Sequence, residues 1–215
     1  MKKLIFLLVV QFSFSLVSLP AYSVMKHQGM TMDEKGMVMN NNTDNLPKDC
    51  PEVSEDVHFT IHAGREHATK FNGKMYAFDQ QQWDVKPCSR IKITFINDDE
   101  IRHQFMVHGL PGYLYPEGMF HIELYGKGQK EGSFIVPSQP KTYLVHCEVP
   151  QHMEKGMKGQ IKVAGGDQDL PSIPGLTEPV TPDSYAVNWT PASWLMLIFA
   201  TLVGFAIPLF ILKRK

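Results

Sequence analysis

One stretch near the end of the polar part of the chain constrains it more than any other: Val145-His146-Cys147-Glu148-Val149-Pro150-Gln151-His152-Met153-Glu154-Lys155-Gly156-Met157. It places a histidine five residues after a cysteine and a methionine five residues after that. Thiolate, imidazole and thioether together form a soft donor set suited to copper in both of its oxidation states. Thr142 to Val145 before the cysteine and Lys158 to Val163 after the methionine both read as strands. The three donors therefore share one loop between two strands, which can hold them at fixed angles.

The two ends read differently from the middle. Met1-Lys2-Lys3 is basic, Leu4 to Val17 is almost wholly apolar, and Ala21-Tyr22-Ser23 offers small residues for cleavage. Residues 1–23 are thus expected to be a secretory signal peptide. Ala192 to Leu212 is apolar over a length that can cross a bilayer as a helix. Trp189 and Trp194 lie at one end and the basic tail 213–215, Lys213-Arg214-Lys215, at the other. The bias of basic residues to the cytoplasmic side predicts a single pass, with the rest on the periplasmic side of a bacterial inner membrane. Between Ser23 and Trp189, 16 Lys and Arg face all 22 acidic residues, a net charge of −6. That balance disfavours nucleic acid and favours basic docking partners.

Three cysteines must be placed in an oxidising compartment, where an odd one is left free or bound to metal. With Cys147 assigned to the metal loop, Cys50 and Cys88 are the expected disulfide; the alternative is that both stay reduced.

Residues 24–49 are polar and hold Met25, His27, Met30, Met32, Met37 and Met39. With no apolar periodicity they read as a flexible segment. Thioethers favour Cu(I), so transient copper capture and a plain linker are equal readings of it. Residues 50–165 show short strand-like runs: Val57 to His62, Lys74 to Phe78, Trp83 to Val85, Arg90 to Ile96, Gln104 to His108, Phe120 to Leu124, Gly132 to Val136, Lys141 to His146 and Gln160 to Val163. Gly, Pro, Asn and Asp punctuate them, the pattern of an all-β sandwich or barrel. Residues 166–191 read as a Pro- and Asp-rich linker.

A second histidine is needed, and His103, opening a strand after the turn at Asn97-Asp98-Asp99, is the best candidate. His108 falls on the opposite strand face. His121 and His146 are expected to point away, while His58, His62 and His67 are expected to be solvated. Met153 is a spare soft donor or a packed surface residue.

His103 with Phe105, the strand end Phe134-Ile135-Val136-Pro137, and Cys147, His152 and Met157 resemble the cupredoxin family over roughly Val57 to Val163. The resemblance implies a Greek-key β-sandwich holding one copper through His103, Cys147 and His152, with Met157 as a weak axial ligand. Cupredoxins commonly place Asn after the first histidine and Ser or Thr after the cysteine; here those positions are Gln104 and Glu148. His103 to Pro111, Gly118-Met119-Phe120 and His146 to Gly159 also resemble membrane-anchored cupredoxins associated with bacterial copper-dependent methane and ammonia monooxygenases. That resemblance implies copper handling for a membrane monooxygenase and admits a two-copper centre shared by a homodimer. Electron transfer from a mononuclear blue centre is the alternative. The chain is expected not to be an enzyme. Oxidases with a similar last motif carry a second histidine where Glu148 stands, and the His-x-His pairs of their clusters are missing here.

Overall fold

The computed structural model describes residues 25–27, 29–179 and 189–212, without the side chains of 25–27 and 205–212. The expected signal peptide, residues 1–23, and the basic tail, residues 213–215, lie outside the described residues. The chain divides into two units, 1–180 and 181–215.

In the first unit, strands β1 (Met25–His27), β2 (Met30–Asp33), β3 (Gly36–Met39), β6 (Gln82–Val85), β8 (His103–His108), β9 (Met119–Leu124), β11 (Lys141–His146) and β12 (Lys158–Val163) form one sheet. Their order is β1-β2-β3-β9-β8-β11-β12-β6. Strands β4 (Asp56–Gly64), β5 (Ala77–Phe78), β7 (Arg90–Asn97) and β10 (Gly128–Ile135) form the other, ordered β10-β7-β4-β5. Pairing is antiparallel except for β4 with β7 and β12 with β6. In β7, Ile91, Ile93 and Phe95 are fully buried, whereas Lys92 between the first two is exposed. Across the sandwich, Phe105 of β8 meets Phe95 and Phe78 with ring centroids 6.2 and 5.7 Å away, and it meets Trp83, on β6 of its own sheet, at 5.8 Å. Cys50 and Cys88 form the expected disulfide, with Cα atoms 5.7 Å apart. It staples the segment before β4 to the turn before β7.

Residues 24–49 depart from the expectation of a flexible segment. β2 and β3 form a hairpin, and β3 pairs with β9 through Met37 opposite Glu123 and Met39 opposite His121. Val38, on the other face, joins the core at 6% exposure. Gly36 permits the approach: its φ is +145°, and a Cβ there would meet the Glu123 carbonyl oxygen at 2.0 Å. Lys74 to Phe78 is also shorter than expected as a strand, reduced to Ala77–Phe78.

In the second unit, one helix, α1, spans Pro191–Leu212. The expected transmembrane span over Ala192 to Leu212 is not met: among the described residues no helix is long and apolar enough to cross a membrane.

Candidate metal centre

His103 opens β8 on the face that also carries Phe105 and Val107, so its ring points into the sandwich. Cys147 follows β11 directly, and His152 and Met157 come from the loop to β12. That loop is folded on itself: Cys147 N–H donates to the Met157 carbonyl at 3.2 Å, and Met157 N–H to the His152 carbonyl at 2.9 Å. Gly156, at φ +117°, lets the loop lie against Tyr76, whose carbonyl oxygen would be 2.7 Å from any Cβ there.

The donors of His103, Cys147 and His152 converge, all three lying within 4.8 Å of one another and all buried. Cys147 Sγ is 3.5 Å from His152 Nδ1, which is 3.2 Å from His103 Nδ1. The outer nitrogen of His103, Nε2, meets Asp99 Oδ2 at 2.8 Å. A carboxylate there fixes the ring and its tautomer, so Nδ1 offers a lone pair inward. Tyr76 stacks on His152 at 4.0 Å between centroids and meets His103 edge-on at 5.6 Å.

Gln104 and Glu148, the two departures from the usual cupredoxin pattern, turn out to face each other. Gln104 Oε1 accepts the Glu148 N–H at 3.1 Å, while its amide Nε2 donates to Glu123 Oε2. The longer amide thus ties the metal loop to β8 and β9. Glu148 touches this network through its backbone and leaves its side chain exposed.

Electrostatics fit a metal in place of protons. Burial pushes the Cys147 thiol up to about 11, against the opposing pull of the Val149 and Gln104 N–H groups and of Arg102. Burial, then the neighbouring His103, pushes His152 down to about 4. Burial also lowers His103, with Asp99 working the other way. Without metal the centre is two neutral imidazoles and a thiol; a soft cation would displace the thiol proton and find three preformed donors. A buried N₂S set of this kind fits copper.

Met157 is fully buried in the core beside this loop. His108 and His146 point from the opposite face of their sheet, as strand alternation predicts, and stack on each other at 4.8 Å. His121 lies opposite Met106 on that same outer face. His58 is not simply solvated: its Nε2 meets Thr94 Oγ1 at 2.8 Å. His62 and His67 both meet Asp98, a second convergence that spacing in the sequence does not reveal. Asp99 and Tyr76 were also not legible; the nearest signal for Asp99 was its place four residues before His103.

A family model described as multicopper oxidase matches residues 51–167, more than half of the chain. Copper resistance protein A from Pseudomonas syringae pv. tomato is 27% identical over 118 residues, covering 53% of this chain and 19% of that protein. The chain therefore spans about a fifth of the length of that relative. Among solved structures, auracyanin A, a "blue" copper protein from Chloroflexus aurantiacus, overlays with a TM-score of 0.38 at 22% identity, over 50% of this chain and 98% of that one. Auracyanin from Roseiflexus castenholzii does so with a TM-score of 0.37 at 20% identity, over 52% and 98%.

Proposed function

Because this chain belongs to the multicopper oxidase family and carries a copper-binding centre of cupredoxin type at His103, Cys147 and His152, we propose that it is a mononuclear blue-copper electron-transfer protein. The observation that carries this reading is the convergence of all three donors, buried, within a single chain. Copper held there would supply a one-electron couple. The protein's part is to keep the donors from moving as the charge changes: Asp99 fixes His103, the Gln104 amide fixes the backbone after Cys147, and Tyr76 fixes His152. Burial excludes water from the sulfur. Met157, buried beside the loop, would offer the copper a weak thioether donor that tunes the potential.

The shared two-copper centre is less well supported, since a site completed by a partner needs a donor at the surface and Cys147 is fully buried. No oxidase reaction is included, because Glu148 stands where a further histidine ligand would be needed. The acidic stretch between the two ends favours a basic redox partner.

Copper handling is the second reading. It is favoured by the copper resistance relative and by Met30, Met32, Met37 and Met39 in strands continuous with the copper-bearing sheet. Delivery to a membrane copper monooxygenase belongs to this reading and rests on the sequence resemblance. For either role the proposed location is the periplasmic side of a bacterial inner membrane. Recovery of the full-length chain in a salt-washed membrane fraction tests the location, and quantitative release into the soluble fraction would refute it.

The deciding experiment is the visible and electron paramagnetic resonance spectrum of the copper-loaded full chain. One copper per chain with a single strong blue band is expected, lost in Cys147→Ser. A purple multi-band spectrum from a dimer would overturn the mononuclear centre. Competition with a Cu(I) chelator separates the two roles: slow loss supports electron transfer, and ready transfer supports delivery.

A further inference from the structure

His62 at the end of β4, His67 in the short 3-10 turn after it, and Asp98 in the turn between β7 and β8 come from three separate elements. His62 Nδ1 and His67 Nε2 both lie 2.9 Å from the same oxygen, Asp98 Oδ2, and the three donor atoms lie within 4.8 Å of one another. Glu66 adds a carboxylate oxygen 3.5 Å from His67 Nε2. The side chains are 39%, 18% and 27% exposed, for His62, His67 and Asp98. The cluster is therefore open to solvent on one side, unlike the buried centre.

Its frame is built before any ligand arrives. Asp98 N–H donates to the Ala63 carbonyl at 3.0 Å; His62 N–H donates to Asp79 Oδ1 at 3.0 Å, and Asp79 N–H returns to the His62 carbonyl at 2.9 Å. Arg65 N–H donates to Asp99 Oδ2 at 3.1 Å, which anchors the turn carrying His67. A solvated histidine has no need of such fixing. Two imidazoles and a carboxylate held on rigid backbone form a borderline donor set for a divalent first-row metal, and Cu(II) heads the affinity order for nitrogen and oxygen sites.

We infer that His62, His67 and Asp98 form a second metal site, accessible and selective for Cu(II), beside the buried centre. Each ring would move its proton to its other nitrogen and offer the metal the lone pair now replaced by an N–H. The two sites are joined through one peptide bond: Asp98 serves the open site, and Asp99 holds the outer nitrogen of His103. This site does not depend on copper at Cys147. It gives oxidised copper a landing place next to a centre that must otherwise be loaded through a closed surface.

The test is a Cu(II) titration of the full chain whose buried centre is already loaded, followed by calorimetry and electron paramagnetic resonance. A second equivalent with a non-blue signal and nitrogen hyperfine splitting is expected. His62→Ala and His67→Ala should each weaken it by at least about 10-fold, the least that loss of even an outer partner costs a metal site. The blue band and circular dichroism should stay unchanged. Should either variant misfold, Asp98→Asn and His67→Gln offer milder removals of the same donors. The inference fails if the wild type takes no second equivalent, or if the His62→Ala/His67→Ala double variant binds it as well as the wild type does. Tighter binding of Zn(II) than of Cu(II) overturns the assignment to copper. A second equivalent retained in a protein lacking the blue band supports this site and overturns only the reading of the buried one.

Discussion

At the residue scale, the centre works through side chains that never touch the metal. Gln104 bonds both Glu148 N–H and Glu123, so Gln104→Leu frees the loop after Cys147 and strips a buried carboxylate of its amide donor. A broadened blue band and a lower melting temperature are the expected result, on the order of 1–3 kcal/mol for an unsatisfied buried acceptor; thermal melts and absorption spectra check it. Met157→Leu keeps the volume but removes the thioether. Copper should still bind while the potential shifts upward, and an unmoved potential in voltammetry would rule Met157 out as a donor. His103, Cys147 and His152 were legible from spacing and strand context, because ligand chemistry restricts residue type at each position. Asp99 and Gln104 were not, since hydrogen bonds formed across the fold leave no spacing signature.

At the element scale, the disulfide and the early hairpin mark what local pattern can and cannot give. Cys50 and Cys88 close a loop with a separation of 38 residues. Replacing both with alanine should cost about 3–4 kcal/mol through the entropy regained by the unfolded chain. The blue spectrum should not change, and an unaltered urea midpoint would show the bridge to be idle. β2 and β3 escaped the sequence reading because methionine is not a strong strand former and the run looked compositionally like a tail. The turn from Asp33 to Gly36 was the available clue: Asp33 Oδ1 accepts the Lys35 N–H at 2.9 Å, and alternating Met-Thr-Met and Met-Val-Met flank it. What makes the segment a strand is β9 beside it, a partner more than eighty residues away in sequence.

At the scale of the whole molecule, stability without metal should depend on pH through the buried histidines. Burial holds His103, His152, His108 and His121 below the ordinary histidine value, with His152 down to about 4. The unfolded chain therefore binds protons first, and the native state loses stability as pH falls below about 6.5. The loss continues to about 4, where folded His152 itself takes a proton. Urea midpoints of the metal-free protein between pH 7 and 4.5 should fall accordingly, and a flat profile would contradict the assignment. The sequence by itself determined the all-β class, the metal loop and its chemistry, because strand alternation and soft-ligand spacing are local properties written into neighbouring residues. Only the tertiary structure decided that His103 meets His152, that Gln104 reaches Glu148, and that three surface donors converge on one point. Those contacts depend on the sheet order that brings distant strands side by side, and distance in space between such strands is not encoded by distance along the chain.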